Sequence, residues 1–294
     1  MPDTQSDFRL DHEEVSLRGF GAATKRAIRA ARYAWDESMA RRNSPYELFK
    51  WKALESSALS PEYFMHILPS HKLIYIEVPK SASSYILEKL QELTKSNASG
   101  AKNIHRRSES GFDSPLSMGI VPFVRLIDDP ETLIFTSVRN PYSRLVSCYF
   151  DKFSNVTLGD GSYISNVYIS YQRIAMRSVS EGGSISFEDF VDFACATAPF
   201  RFDGHWCRQS DIIPDAIAIP KAIVRFETMQ DDFIAVLRRL PTRPLPPSPP
   251  IAQRPATNEK RLKEVLSAGT AARILDTYAT DFSRFGYSAT IPGA

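Results

Sequence analysis

Apolar residues along the chain follow two periodicities, and their order predicts the architecture. From Lys72 the segment KLIYIEV is an almost unbroken apolar run that Pro79 ends, the pattern of a parallel strand covered on both faces. A serine-rich turn follows, and then Ile86, Leu90 and Leu93 recur at the i, i+4, i+7 spacing of a helix packed back on a sheet. The unit recurs at 132–153. There TLIFTSV predicts a second buried strand, Asn140 and Pro141 supply an N-cap and a first-turn proline, and YSRLVSCYFDKF continues as helix. A third unit spans 222–240: AIVRFE is strand, Thr228 with Asp231 marks a helix start, and Phe233, Val236, Leu237 and Leu240 share one face. Strands alternating with helices predict an α/β fold around a parallel sheet.

Outside these units the pattern is helical or irregular. Residues 1–66 hold few strand signals and one long helical stretch, FGAATKRAIRAARYAWDESMARR, with Phe20, Ile28, Ala31 and Trp35 as its apolar positions beside a basic face. A basic amphipathic helix suits a membrane surface, whereas docking on the main domain with a solvated arginine face asks for less, and is preferred. The organisation expected is a helical N-terminal extension, 1–66, and one α/β domain, 67–294. ISFEDFVDFACA (185–196) is a further amphipathic helix, and PTRPLPPSPP (241–250) a stiff extended connector. A last helix is expected from about Glu259 to Tyr278, leading into DFSRFGY, whose aromatics pack at the sheet edge. No internal repeat and no second core with its own pattern emerges.

Composition narrows the function. Thirty-six Lys and Arg stand against 34 Asp and Glu, 36 − 34 = +2, which excludes a globally basic binder of nucleic acid or another long polyanion. With 43% hydrophobic and 24% charged residues the chain is close to the globular average and is not disordered as a whole. Only three cysteines occur, Cys148, Cys195 and Cys207, too few for a disulfide scaffold, and in a monomer at least one stays unpaired. The opening MPDTQSDFRL lacks the basic start and apolar run of a signal peptide, and no apolar run of membrane-spanning length follows. A reducing cytoplasm is the expected compartment, and any recognition of an anion must come from a local cluster.

Two strand ends carry such clusters, where ligands bind in open parallel sheets. At the first, Lys80, Ser81, Ser83 and Ser84 surround the start of a helix, whose free N–H groups favour negative charge; an ordinary serine-rich cap with a solvated lysine is the alternative. At the second, Arg139 offers a phosphate-binding fork, and Ser143 and Ser147 lie four apart on one helical face, so that Arg139 and Ser147 can reach one phosphate. Two anion sites suggest a ligand with two anionic groups. A phosphate-binding loop of the G-x-x-x-x-G-K-[ST] type is excluded, because Ile74 and Pro79 occupy its glycine positions ahead of Lys80 and Ser81. Arg139 also stands where a magnesium-binding aspartate would end the second strand. The expected ligand is a nucleotide handled without metal.

These residues resemble the Golgi-type carbohydrate sulfotransferase family and its bacterial relatives over roughly 72–287. LIYIEVPKSASSYI is similar to the family's 5′-phosphosulfate loop and TSVRNPYSRLVSCYFDKF to its 3′-phosphate motif; His205-Trp206, VRFETMQDDF and YATDFSRFGY resemble further landmarks in the same order. The resemblance implies a P-loop-NTPase-like three-layer sandwich with a central parallel sheet. It also implies 3′-phosphoadenosine 5′-phosphosulfate as donor, and a hydroxyl of a carbohydrate, glycoconjugate or glycolipid as acceptor. Lys80, Ser81, Ala82, Ser83 and Ser84 would then face the phosphosulfate, Arg139 and Ser147 the 3′-phosphate, and Arg254, in the segment ahead of the last helix, would close over the nucleotide. The family's membrane anchor and disulfide pattern are missing here, so the resemblance is to a soluble bacterial-like branch. Ser81 and Ser83 also depart from the animal loop, which bears on donor geometry.

Sulfuryl transfer needs positive charge on the leaving group and a base for the acceptor hydroxyl. Lys80 supplies the charge. Among five histidines, His12, His66 and His71 precede the first strand-loop and are assigned to surface or packing. His105 resembles the family's histidine between the nucleotide motifs and is preferred as base over His205, whose other roles are acceptor binding or a structural contact. Arg106 and Arg107 are candidates for an anionic acceptor. Cys207 with His205 makes a poor zinc set, so no metal is expected. The acceptor-side loops are placed at 106–131 and 154–184. A P-loop-like small-molecule kinase and a non-catalytic nucleotide- or glycan-binding module are the competing functions.

Overall fold

The computed structural model describes residues 22–57, 59–94, 104–105, 110–214, 217–240 and 255–292, and structural statements below concern those residues. Four strands form one sheet in the order β1 (Met65–Leu68), β2 (Leu73–Ile76), β3 (Leu133–Val138), β4 (Ala222–Arg225). β2, β3 and β4 are parallel, with Ile74 opposite Ile134 and Thr136 opposite Ile223, as the strand-helix repeats predict. β1 is different: it pairs antiparallel with β2, His66 opposite Tyr75. The sequence does not predict it, because the four residues MHIL are too short for a periodicity to show. β1 also crosses the 66/67 boundary, so the sheet begins inside the segment assigned to the extension.

Among the described residues the helices of seven residues or more are α1 (Ala22–Asn43), α2 (Pro45–Ser57), α3 (Ser83–Gln91), α4 (Ile120–Asp128), α5 (Pro141–Lys152), α6 (Tyr163–Ile174), α7 (Phe187–Thr197), α8 (Met229–Leu237), α9 (Pro255–Val265), α10 (Ala268–Thr277) and α11 (Ala279–Phe285). Strand alternation divides the core. Leu73, Tyr75, Leu133 and Phe135 pack with Ile86 and Leu90 of α3 and Phe233 of α8. Ile74, Ile76 and Ile134 pack on the other side with Trp51 of α2 and Phe123 of α4. The result is the three-layer sandwich. Each such side chain contributes about 1.5–3 kcal/mol on burial.

The N-terminal helices are docked on this core, with the Trp51 and Phe123 rings edge-on at 5.8 Å. The docked face of α1 carries Tyr33 and Ala40. Ile28, Ala31 and Trp35, the positions expected to pack, are exposed instead, Trp35 by 68%, while Phe20 lies outside the described residues. Hydrophobicity marks a stripe but not the side on which α2 and α4 stand.

Four further expectations are corrected. A second core exists: Leu145, Phe153, Phe190, Phe193, Trp206 and Ile274 from α5, α7, α10 and the intervening chain form a cluster without a strand residue. The supposedly irregular stretches hold α4, with Ile120, Phe123, Val124 and Ile127 buried at helical spacing, and α6. The last long helix is two, because Ser267 caps the N–H of Thr270 in a capping box and restarts the chain as α10. Of the aromatics in DFSRFGY, Phe285 joins the sheet cluster with Ile74, Ile76 and Ile134, and its carbonyl accepts from Arg225 of β4 at 3.1 Å, whereas Phe282 packs in the second core against Tyr142, ring centroids 4.9 Å apart. The N-cap at Asn140 is made, Tyr142 N to Oδ1 at 3.0 Å. At α8, Thr228 makes no cap, and its hydroxyl goes to Asp232 at 2.7 Å rather than toward Asp231. The proline-rich connector 241–250 lies outside the described residues.

Candidate functional site

β2 delivers the first cluster. After Ile76 the chain turns sharply, with Lys80 at φ 70° and Ala82 at φ 67°. Both are left-handed conformations that cost a non-glycine residue roughly 1–2 kcal/mol. That turn lets α3 start at Ser83 with Ala82 as N-cap, a residue with no side-chain acceptor, so no side chain caps its first N–H groups. Ser81 does not share in this opening. Its buried hydroxyl donates to Val78 O at 2.5 Å and meets Ser137 Oγ at 2.8 Å, and Ser137 in turn meets Tyr75 OH at 2.7 Å, so it ties the loop to the sheet. Ser84 is exposed and Ser83 buried. Lys80 Nζ lies 3.2 Å from Asp151 Oδ2 on α5. Burial opposes ionisation of Asp151, but the charges of Lys80 and Lys152 outweigh it and hold its carboxyl below the usual value.

The second cluster meets the first. Arg139, 3% exposed, follows β3; its Nη1 donates to the Lys80 carbonyl at 3.2 Å and its Nε to Ser143 Oγ at 3.0 Å. Its guanidinium stacks on Phe226, 4.0 Å from the ring centroid. Nη2 is buried with no hydrogen-bond partner among the described residues. Burial lowers its pKa to about 10, against the charges of Glu227 and Tyr287, so it remains a cation at neutral pH. Glu227 does not pair with it directly, since its oxygens accept from Asn140 N at 2.9 Å and Tyr287 OH at 3.0 Å. Ser147 stands one turn beyond Ser143 on the same face of α5, half-buried.

Residues that the sequence did not single out build the frame. Arg144, fully buried, donates to three carbonyls: Pro79 at 3.0 Å, Cys207 at 2.7 Å and Gly204 at 2.6 Å. It clamps the Lys80 loop to the His205 segment. Gln209 brackets the Arg139 peptide, accepting from its N–H at 2.9 Å and donating to its carbonyl at 2.8 Å, while Asp281 accepts from the N–H groups of Gln209 and Ser210. A signal for Arg144 existed: it occupies the stripe Pro141, Arg144, Leu145, Cys148, where an apolar residue belongs. Gln209 and Asp281 carry no local signal, because their partners are distant in sequence.

Both candidate bases sit beside carboxylates. His105 Nδ1 is 3.0 Å from Glu77 Oε1, and its Nε2 is 2.9 Å from Ser84 Oγ. Glu77 Oε2 is 2.7 Å from Nε2 of His66, which is buried in β1 and so has the packing place of the two expected for it. His205 Nδ1 is 2.7 Å from Asp203 Oδ1. Lys152 acts electrostatically on both His105 and Asp203, and its Nζ lies 3.3 Å from the same Asp151 Oδ2 that Lys80 contacts. Cys207 is a packed core thiol pushed up to about 12 by burial. Among the described residues no group of three His, Cys, Asp or Glu could hold a metal ion. Arg106, Arg107 and Arg254 lie outside the described residues.

The donor set therefore suits a doubly anionic ligand: an orphaned guanidinium N–H, a lysine and a helix N-terminus meet at the ends of two neighbouring strands. A model of the Sulfotransferase family matches residues 64–288, which includes β1. Carbohydrate sulfotransferase 8 of Mus musculus is 25% identical over 300 residues, covering 95% of this chain and 66% of the relative. Carbohydrate sulfotransferase 8 of Homo sapiens is 26% identical over 300 residues, 95% of this chain and 65% of the relative. Carbohydrate sulfotransferase 14 of Danio rerio is 24% identical over 262 residues, 84% and 67%. The chain thus spans about two thirds of the length of these relatives. No solved structure gives a significant match. Among the described residues no helix is long and apolar enough to cross a membrane.

Proposed function

The chain belongs to the sulfotransferase family, and from that premise we propose that it transfers a sulfuryl group from 3′-phosphoadenosine 5′-phosphosulfate to a hydroxyl of a carbohydrate or glycoconjugate by in-line displacement. The observation that carries the proposal is Arg139, a buried cation with no carboxylate in ion-pair contact among the described residues and one N–H left over. Burying an unpaired charge costs several kcal/mol, and a bound phosphate offsets that cost. The names of the relatives support the acceptor class.

When bound, the donor supplies an activated sulfuryl group on a phosphosulfate. Arg139 and Ser147 hold the 3′-phosphate, and the N-terminus of α3 with Ser83, Ser84 and the Ala82 backbone holds the phosphosulfate. Lys80 exchanges Asp151 for the oxygen on which negative charge gathers, where a cation lowers the barrier. His105 takes the acceptor proton at Nε2, and His205, held by Asp203, contacts the acceptor. Arg106 and Arg107 belong to the acceptor side and Arg254 to the nucleotide side of the same proposal, which needs no metal. A reducing, cytoplasmic setting is included, supported by the free thiols of Cys148, Cys195 and Cys207.

The test is transfer of radiolabelled sulfur from the donor to a panel of glycans and glycolipids, with and without chelator. Labelled glycan in both conditions is the expected result. Transfer of phosphate from ATP that needs magnesium would establish the kinase, and nucleotide binding without transfer to any acceptor would establish a binding module.

A further inference from the structure

We propose that Glu77, anchored by His66, is a positioning residue that sets the tautomer and direction of His105, so that its Nε2 meets the acceptor hydroxyl. The inference rests on sulfuryl transfer with His105 as base, and it adds two residues to that site. Glu77 is the one acidic residue in the run KLIYIEV, and it is 4% exposed. A carboxylate so placed costs several kcal/mol unless every lone pair is used. Its two oxygens are divided between two imidazoles, Oε2 to His66 Nε2 at 2.7 Å and Oε1 to His105 Nδ1 at 3.0 Å.

The division has a chemical consequence. With Glu77 ionised, Nδ1 of His105 carries the proton it donates, so in the neutral ring Nε2 is the lone-pair nitrogen. That nitrogen faces Ser84 Oγ at 2.9 Å, at the first turn of α3 and four residues past Lys80. An acceptor hydroxyl taking that place gives its proton to Nε2 as its oxygen bonds to sulfur and the sulfur–oxygen bond to the leaving phosphate breaks; the imidazolium then returns the proton to solvent. Glu77 touches no reacting atom. Its own direction is set by its backbone, whose N–H donates to Phe64 O at 2.7 Å, and by His66 on the antiparallel strand β1.

Electrostatics agree with the geometry. Burial opposes ionisation of Glu77, but the hydrogen bonds and charge of His105 and His66 outweigh it and hold its carboxyl far below the usual range. The bond to Glu77 raises the pKa of His105 above its ordinary value, against partial burial. Glu88 of α3 acts in the same direction and Lys152 of α5 against it, while Tyr75 of β2 is kept protonated by its burial and, after that, by the Glu77 charge.

The experiment pairs nitrogen NMR of histidine-labelled protein with kinetics. In the wild type, His105, identified by its absence in His105→Asn, should titrate above the ordinary imidazole value and be protonated at Nδ1 when neutral. Glu77→Gln should lower that pKa and move the rise of kcat with pH to lower pH. It should reduce kcat at neutral pH about 100-fold, within the range ascribed to a positioned base, with KM for donor and the melting shift given by adenosine 3′,5′-bisphosphate unchanged. Glu77→Asp should recover part of the loss. A wild-type His105 that titrates at or below the ordinary value, or is protonated at Nε2 when neutral, overturns the proposal without any variant. Equal loss of kcat and nucleotide binding overturns it too, because Glu77 would then be merely structural. Failure of sulfuryl transfer to any acceptor would instead strike the function, and the NMR result still decides whether Glu77 orients His105.

Discussion

Replacing Arg139 by Met removes the buried charge while keeping most of the side-chain length, so it separates anion binding from packing. The apo protein loses the bonds from Arg139 to Ser143 Oγ and Lys80 O and the stacking on Phe226. Ser143 still donates to Asn140 O at 3.2 Å, and no buried cation has to be desolvated. These terms oppose each other, and the apo stability should stay within about 2 kcal/mol of wild type. Ligand response should change far more. At one hundred times Kd, adenosine 3′,5′-bisphosphate should stabilise the wild type by about 2.7 kcal/mol, roughly 5–10 °C in Tm for a chain of this size. Loss of one charged hydrogen bond costs about 1.5–3 kcal/mol. At the same ligand concentration that leaves about 0.3–1.3 kcal/mol, so the shift falls to half or less. The assay is thermal melting with and without the nucleotide, Kd being measured separately. An unchanged shift in Arg139→Met refutes the assignment of Arg139 to an anion. A drop of more than about 10 °C in the apo protein shows the charge to be structural instead.

Other predictions follow from the same geometry. Lys80→Ala should lower kcat far more than it weakens nucleotide binding if, as proposed, its charge acts on the leaving group; equal losses in single-turnover and binding measurements would make Lys80 a binding residue only. Ala82→Gly should leave stability unchanged or raise it by up to about 1 kcal/mol, the left-handed strain it relieves being partly offset by backbone entropy, and a clear fall in Tm would contradict that turn geometry. Glu77, with its folded pKa depressed, stabilises the protein above the ordinary glutamate value of about 4.3, and that stability is lost as pH falls toward the folded value. His105, with its pKa raised, contributes stability below about 6.5 that is lost as pH rises through the folded value. Melting curves of Glu77→Gln should therefore depend less on pH at both ends, and unchanged slopes would count against the buried pair.

Local pattern was enough for the three parallel strands, the helices that follow them and the charged residues at their ends. KLIYIEV and TLIFTSV announce buried strands by composition alone, and in a parallel sheet the residues just past such strands, Lys80 and Arg139, stand at the binding edge whatever the rest of the chain does. The sequence therefore determined the fold class and the presence of a lysine and an arginine just past two neighbouring parallel strands. Tertiary structure decided what no window of neighbouring residues contains. β1 is strand because β2 lies beside it, and α1 turns Tyr33 rather than Trp35 inward because α2 and α4 stand on that side. Arg144 reaches Pro79, Gly204 and Cys207, and Glu77 reaches His66 and His105, across separations that only the folded chain closes. Those contacts settle which polar residues are buried and paired, which a sequence cannot, because the cost of burying a charge depends on the partner that meets it.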